Sequence, residues 1–321
     1  MAMMPPVEGS ITYPLSSQWW SGEGTLTVRD TRGQTLLELP LQFIRLGRVP
    51  SFDFVKEQCR NAFEGEGTLV RMDGSRIDDS ELVSAGDVVL AGEGPEPHRP
   101  RRGPRFKYKY RAPVEGDTES SMSNSKRSSA NQNKFREALL VRDGSCLLSD
   151  TLYERCTAAH ILPQSRPEYY TEVLEHEVRY LFMPSYGLLL RDDLHHSFDR
   201  GEIALYPKGS DLIVHVFAPG DDALRGFHGK ILKPERFRPP EDRRPDVRLL
   251  RFHYQQCAIK YFRGFAWAAG KPTEFKNGDA EHYIAVLGRS HDCMGTPFVA
   301  GFGRMPPAVN DIDGELLHGV P

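Results

Sequence analysis

From residue 93 to residue 131 the sequence offers a core almost nothing to bury. The stretch opens on Gly92-Glu93-Gly94-Pro95-Glu96-Pro97 and closes on the Ser-rich run from Ser120 to Ser129, both too polar to order themselves. Between them Arg99 to Arg111 (RPRRGPRFKYKYR) carries seven Lys/Arg and no acid. This pattern predicts a basic, flexible linker over 93–131, a module at 1–92 before it and a larger one at 132–270 after it. Residues 271–321 form a Gly/Pro-rich extension without a recognisable motif. The 321 residues suffice for two cores, because a domain takes roughly 100–200 residues. No repeat of fixed period appears in either half.

Charge and cysteine usage narrow the class. Lys+Arg number 41 against 44 Asp+Glu, a net charge of −3, so the chain is not basic throughout and its positive charge is concentrated in the arm. The longest apolar runs, such as Leu188-Leu189-Leu190, fall far short of the roughly 18 residues a membrane span needs. The first residues show neither a basic n-region nor an apolar h-region, so the expected location is intracellular, nucleus or cytoplasm, with no membrane partner. Five cysteines with no Cys-x-x-Cys pair read as reduced thiols.

The N-terminal module alternates as strands do. Thr25–Arg29 and Thr35–Leu39 flank a turn at Asp30-Thr31-Arg32-Gly33-Gln34, Ser51 opens a helix through Ala62-Phe63, and strands follow at Gly67–Arg71 and Asp87–Ala91. The order strand, strand, helix, strand, strand resembles a ubiquitin-like β-grasp module over about 22–92. That resemblance implies a protein partner for this module rather than chemistry. The expected fold class for the chain is α+β.

The second module carries the reactive side chains. A helix over Phe135–Asp143 stops at Asp143-Gly144, and the segments from Cys146 and from Cys156 are expected to pair as a hairpin ending at His160, just ahead of Pro163. Asp192 or Asp193 caps a short helix that Gly201 closes. His195 and Asp199 are four apart on it, which puts imidazole and carboxylate on one face, while Leu194 and Phe198 pack on the neighbouring one. Adjacent His196 points about 100° away and is the fallback.

Three ordered blocks, Ala158 to Pro163, Tyr186 to Leu190 and Asp193 to Gly201, resemble the HNH nuclease family, the ββα-metal group, in its Ala-Ala-His-Ile subgroup. With a closing helix at Leu249–Cys257 the resemblance spans roughly 135–265. It implies metal-dependent phosphodiester hydrolysis with His160 as general base and His195 as a metal ligand on the helix. The chemistry agrees. Water needs a base titrating near neutrality, histidine's range, and a divalent cation offsets the charge that builds on the leaving oxygen. One imidazole and one carboxylate, His195 and Asp199, leave such an ion net positive; Mg²⁺ is expected, with Mn²⁺ or Zn²⁺ as competitors.

Two residues depart from the family pattern. Tyr186 stands where relatives carry the middle Asn that ties the loop to the base-bearing strand, and Ala159 precedes the base where many carry an acid. A catalytically degenerate HNH fold acting as a binding module therefore stays as the alternative, with a ribonuclease-type effector as a third reading. Arg191 and Arg200 are expected to steady phosphate. In the arm, Arg101, Arg102, Arg105, Lys107, Lys109 and Arg111, interleaved with Phe106, Tyr108 and Tyr110, are expected to contact nucleic acid, DNA ahead of RNA, by neutralising phosphates and stacking bases.

Overall fold

In the computed structural model, β1 (Ile11–Thr12) is a two-residue strand, too short to stand alone, and its partner lies at the far end of the described chain. The structure describes residues 11–92, 98–105 and 118–266, with side chains in the last stretch from residue 130 onward. β2 (Thr25–Arg29) and β3 (Thr35–Pro40) form the expected hairpin, with Asp30 Oδ1 accepting from the backbone N–H groups of Arg32 and Gln34 to shape the turn. α1 (Leu41–Leu46), unread in the sequence, follows directly on Pro40, and α2 (Phe52–Ala62) starts after Ser51 as expected. β4 (Gly67–Arg71) and β5 (Gly86–Gly92) complete a four-stranded sheet of order β3-β2-β5-β4. Its central pair, β2 and β5, is parallel and the outer pairs are antiparallel. The fold is α+β.

α3 (Thr118–Asp143) overturns one expectation, because it runs unbroken through the Ser-rich stretch read as unstructured. The preceding residues 98–105 pack into the fold. β6 (Cys156–His160) comes next, then α4 (Pro167–Leu174), β7 (Gly187–Arg191) and α5 (Asp192–Asp199). β6 pairs antiparallel with β7, not with the segment at Cys146, which forms a turn. Leu147 N–H donates to the Leu189 carbonyl (3.0 Å), and Leu147 is fully buried, so that segment is used as a plug beside β7. β8 (Ile203–Lys208), β9 (Asp211–Val216), α6 (Asp222–Arg225) and β10 (Ile231–Leu232) make a three-stranded sheet with a short helix in its connection. α7 (Val247–Ala258) packs on β8 and continues through a wider turn, Ile259–Arg263, to Gly264 in the left-handed region (φ 79°) and β11 (Phe265–Ala266). β11 is the partner of β1.

All described residues belong to one compact unit, Met1–Gly270, and its two halves share buried polar contacts. Trp20 Nε1 donates to the Val216 carbonyl (3.0 Å) and Ser16 Oγ to the Phe217 carbonyl (2.7 Å), all four residues being buried. Val216 N–H donates to His228 Nδ1 (3.0 Å), which leaves Nε2 to donate to the Phe43 carbonyl (2.8 Å). In His215, the Gly47 carbonyl can only accept, so Nε2 donates (2.9 Å) and Nδ1 takes the proton of the Tyr254 hydroxyl (2.7 Å). Phe43, Phe54, Phe217 and Phe262 surround these rings. Arg263 is fully buried and donates to the carbonyls of Ala62, Arg101, Gly103 and Phe265, stitching α2, the 98–105 segment and the end of α7 together. Among the described residues no helix is long and apolar enough to cross a membrane.

Candidate active site

His160 ends β6 opposite Gly187, the first residue of β7, and α5 begins as β7 ends. Hairpin and helix bring the sequence's reactive residues to one place. The His160 imidazole stacks on Phe135 of α3 (centroids 4.5 Å apart, planes at 26°) and meets the edge of Phe182 (5.5 Å, 73°). Burial between these rings pushes its pKa down to about 4; a backbone hydrogen bond at Leu181 and the charge of Asp199 pull weakly the other way, and the His195 charge adds to the fall. His160 is therefore neutral at physiological pH. Its Nε2 is buried and has no hydrogen-bond partner within the protein. Gly187 is needed for this stack, since a Cβ there would stand 2.2 Å from Phe135 Cζ and 2.9 Å from the Ala159 carbonyl oxygen.

On α5, His195 Nε2 lies 3.2 Å from Asp199 Oδ2, as the four-residue spacing requires. Asp199 holds the His195 pKa above its ordinary value, by the hydrogen bond more than by charge. His195 Nδ1 is buried without a partner. His196 is exposed and pairs instead with Asp192 (3.7 Å), so His195 is the helix histidine that faces the site. Behind α5, His253 stacks flat on Phe198 (3.9 Å, 2°), and its Nε2 donates to the Phe198 carbonyl (3.2 Å), fixing the end of the helix that carries Asp199. Neither Asp192 nor Asp193 caps α5 with its side chain.

The facing His195 Nε2 and Asp199 Oδ2 offer one nitrogen and one carboxylate to a divalent ion that would keep water or substrate oxygens in its remaining positions, while the orphaned Nδ1 lies on the other edge of the ring. They do not make a closed cage. Among the described residues no group of three or more His, Cys, Asp or Glu side chains is placed to hold a metal.

Tyr186 enters through its backbone. Its carbonyl accepts from the N–H of Ile161 (2.9 Å), directly after His160, while its ring leans on Tyr170 (5.4 Å). The turn that carries it, Pro184–Tyr186, is held by a buried ion pair at the end of α3 that the sequence reading passed over. Arg142 donates to Asp143 through two nitrogens (2.6 and 2.7 Å) and to the carbonyls of Pro184, Gly187 and Arg243, and Asp143 Oδ2 accepts from Leu189 N–H. Beyond this support, Phe135, Leu181 and Phe182 at the His160 ring were missed as well. The helical periodicity marked Phe135 as buried, but no local signal ties it to His160.

The basic residues are largely engaged within the protein. Arg191 is paired bidentately with Asp193 (2.6 and 2.7 Å) and Arg200 with Glu202 (2.7 Å twice). Arg101 donates to the carbonyls of Arg60 and Phe63, and Arg102 also has a partner in the fold. Arg105 forks onto Glu172, lies over the Tyr169 ring (4.6 Å) and donates its own N–H to Gln256. Arg101 and Arg105 thus staple the 98–105 segment down. Lys107, Lys109 and Arg111 lie outside the described residues.

Residues 146–206 match the HNH endonuclease family. Over these residues the chain is similar to an HNH endonuclease domain. The match spans β6, β7, α5 and the start of β8, so it contains His160, Tyr186, His195 and Asp199. No curated protein and no solved structure matches the chain. HNH domains are generally metal-binding nucleases, and α3, which packs on the hairpin, and α7, which backs α5 through His253, lie outside the matched segment.

Proposed function

We propose that this HNH domain hydrolyses phosphodiester bonds of nucleic acid, DNA ahead of RNA, with His160 as general base and His195 and Asp199 as the protein ligands of a divalent ion, Mg²⁺ being the expected metal. What supports this most is the placement of an imidazole with an unpartnered Nε2 at the end of the hairpin, ahead of the helix that carries the His195–Asp199 pair. A bound divalent ion supplies a positive charge that offsets the negative charge developing on the leaving oxygen. His160 removes the proton of the attacking water through Nε2 while the Leu181 backbone and the Phe135 face hold the ring in one orientation. Arg191 and Arg200 steady phosphate once it displaces Asp193 and Glu202. The exchange is cheap, because exposed ion pairs contribute only about 0.2–1 kcal/mol. In the same reading the N-terminal module engages a protein partner and the arm through Lys107, Lys109 and Arg111 neutralises phosphates.

The test is metal-dependent cleavage of plasmid DNA and of structured RNA by the purified protein beside His160→Ala and Asp199→Ala. General-base removal is expected to slow cleavage by about 10²–10⁴-fold. Equal rates for wild type and His160→Ala would overturn the assignment. The burial of His160 Nε2 favours a second reading, a catalytically silent HNH fold that binds nucleic acid. Retained binding with no cleavage of either substrate would select it.

A further inference from the structure

Residues 177–183, between α4 and the Pro184–Tyr186 turn, run without regular structure past the His160 ring, and two consecutive residues in them, Leu181 and Phe182, address that ring in different ways. The Leu181 backbone lies close enough to the His160 side chain to raise its pKa against the effect of burial. Phe182 meets the ring edge to face, and its other contact is the ring of Tyr180, 5.6 Å away at 55°. Tyr180 is thus the outer end of an aromatic file, Tyr180–Phe182–His160–Phe135, that leads from solvent to the general base. The file is apolar where it is most exposed. Tyr180 is 44 % accessible and Met183, three residues on, 46 %. No side-chain hydrogen bond to the Tyr180 hydroxyl accounts for its position among the described contacts, so the ring face is what this residue offers.

We infer that Tyr180 is a stacking platform for one nucleobase flanking the scissile phosphate. This deepens the nuclease reading and rests on it. A nucleobase is the occupant that fits, because it presents a flat π-face to an exposed aromatic ring that stands two ring contacts from His160. Every base has such a face, so the platform positions the strand without reading its sequence. Phe182 lies between the platform and His160, so a base docked on Tyr180 also braces the edge contact that orients the imidazole.

The experiment compares Tyr180→Ala, Tyr180→Trp and Tyr180→Leu with wild type, in cleavage and in the binding of a fluorescein-labelled DNA oligonucleotide followed by anisotropy. Loss of one base–aromatic stack is expected to weaken binding and raise KM roughly ten- to hundredfold in Tyr180→Ala, with kcat little changed. Tyr180→Trp restores both; Tyr180→Leu, which keeps the apolar surface and loses the π-face, does not. On wild type, an abasic nucleotide at one position beside the cut reproduces the Tyr180→Ala defect, and the two changes together cost no more than either. Unchanged oligonucleotide affinity and KM in Tyr180→Ala, or full rescue by Leu, would overturn the inference and leave the patch as a protein-docking surface. Anisotropy decides the point even if wild type cleaves neither DNA nor RNA, an outcome that would sink the nuclease reading separately.

Discussion

Arg142 and Asp143, neighbours in sequence at the end of α3, form an ion pair whose two side chains have no solvent exposure. Together they reach Pro184, Gly187 and Leu189, three points on the turn and strand opposite His160. A buried pair broken on one side leaves an uncompensated charge, which costs about 3–5 kcal/mol. Asp143→Asn and Arg142→Met are each expected to lower stability by that order in denaturant unfolding. An Arg142→Met/Asp143→Leu double variant is expected to lose less than the sum of the two, since neither charge is then stranded. Additive losses would show that the pair does not act as a unit.

Gly187 connects backbone space to catalysis. An added methyl would displace Phe135, and with it the face on which His160 rests. Overpacking of this kind costs about 1–3 kcal/mol, so Gly187→Ala is expected to fold with reduced stability. Its cleavage rate should fall well beyond what the folded fraction explains. The companion change Phe135→Leu, which makes room for the methyl, is expected to recover part of the stability in thermal melts.

Tyr186 ties the base-bearing loop through its carbonyl, which every amino acid has. Cleavage by Tyr186→Phe and Tyr186→Asn should therefore stay within roughly threefold of wild type in kcat/KM. A drop of about a hundredfold in Tyr186→Phe alone would instead place the hydroxyl in the chemistry.

Stability is expected to fall on acidification because of His215 and His228. Burial lowers the pKa of His228 to about 4 and that of His215 well below the ordinary 6.5. Both are neutral in the fold, and each has a donor aimed at Nδ1, so a proton there would face the N–H of Val216 or the hydroxyl of Tyr254. A group with a depressed folded pKa binds more protons unfolded. Stability is thus full above about pH 6.5 and is lost progressively as pH falls toward 4. Melting temperature against pH should show this decline, and His228→Gln should flatten part of it at some cost at neutral pH.

Much of the fold follows from local pattern. The β2–β3 hairpin, α2, β4, β5 and α5 lie where strand alternation and helical spacing place them, since each is specified by neighbours in sequence. What pairs with β6 was not legible. Apolar segments at Cys146 and at Gly187 compete for it, and the choice depends on Arg142 and Asp143, whose partners lie more than 40 residues away. The Ser-rich helical turn of α3 was hidden for a related reason: Ser and Asn favour other conformations locally, so propensity argued against a helix there. The site divides the same way. His195 and Asp199 are fixed by helical spacing, whereas the rings around His160 come from α3 and from the segment before β7. The arginines at 101 and 105 looked like a basic surface because sequence shows charge but not Glu172 or the carbonyls of α2.

The β1–β11 pairing bears on how the protein yields to force. Ile11 pairs with Ala266 and Thr12 with Phe265, so the chain leaves the clasp from the same end on both strands. Tension applied at residues 11 and 266 loads the hydrogen bonds one after another, as in opening a zipper, rather than all at once in shear. The clasp therefore opens at low force, and the next bond the pull meets is that of the Tyr13 N–H to the Gly264 carbonyl (2.8 Å).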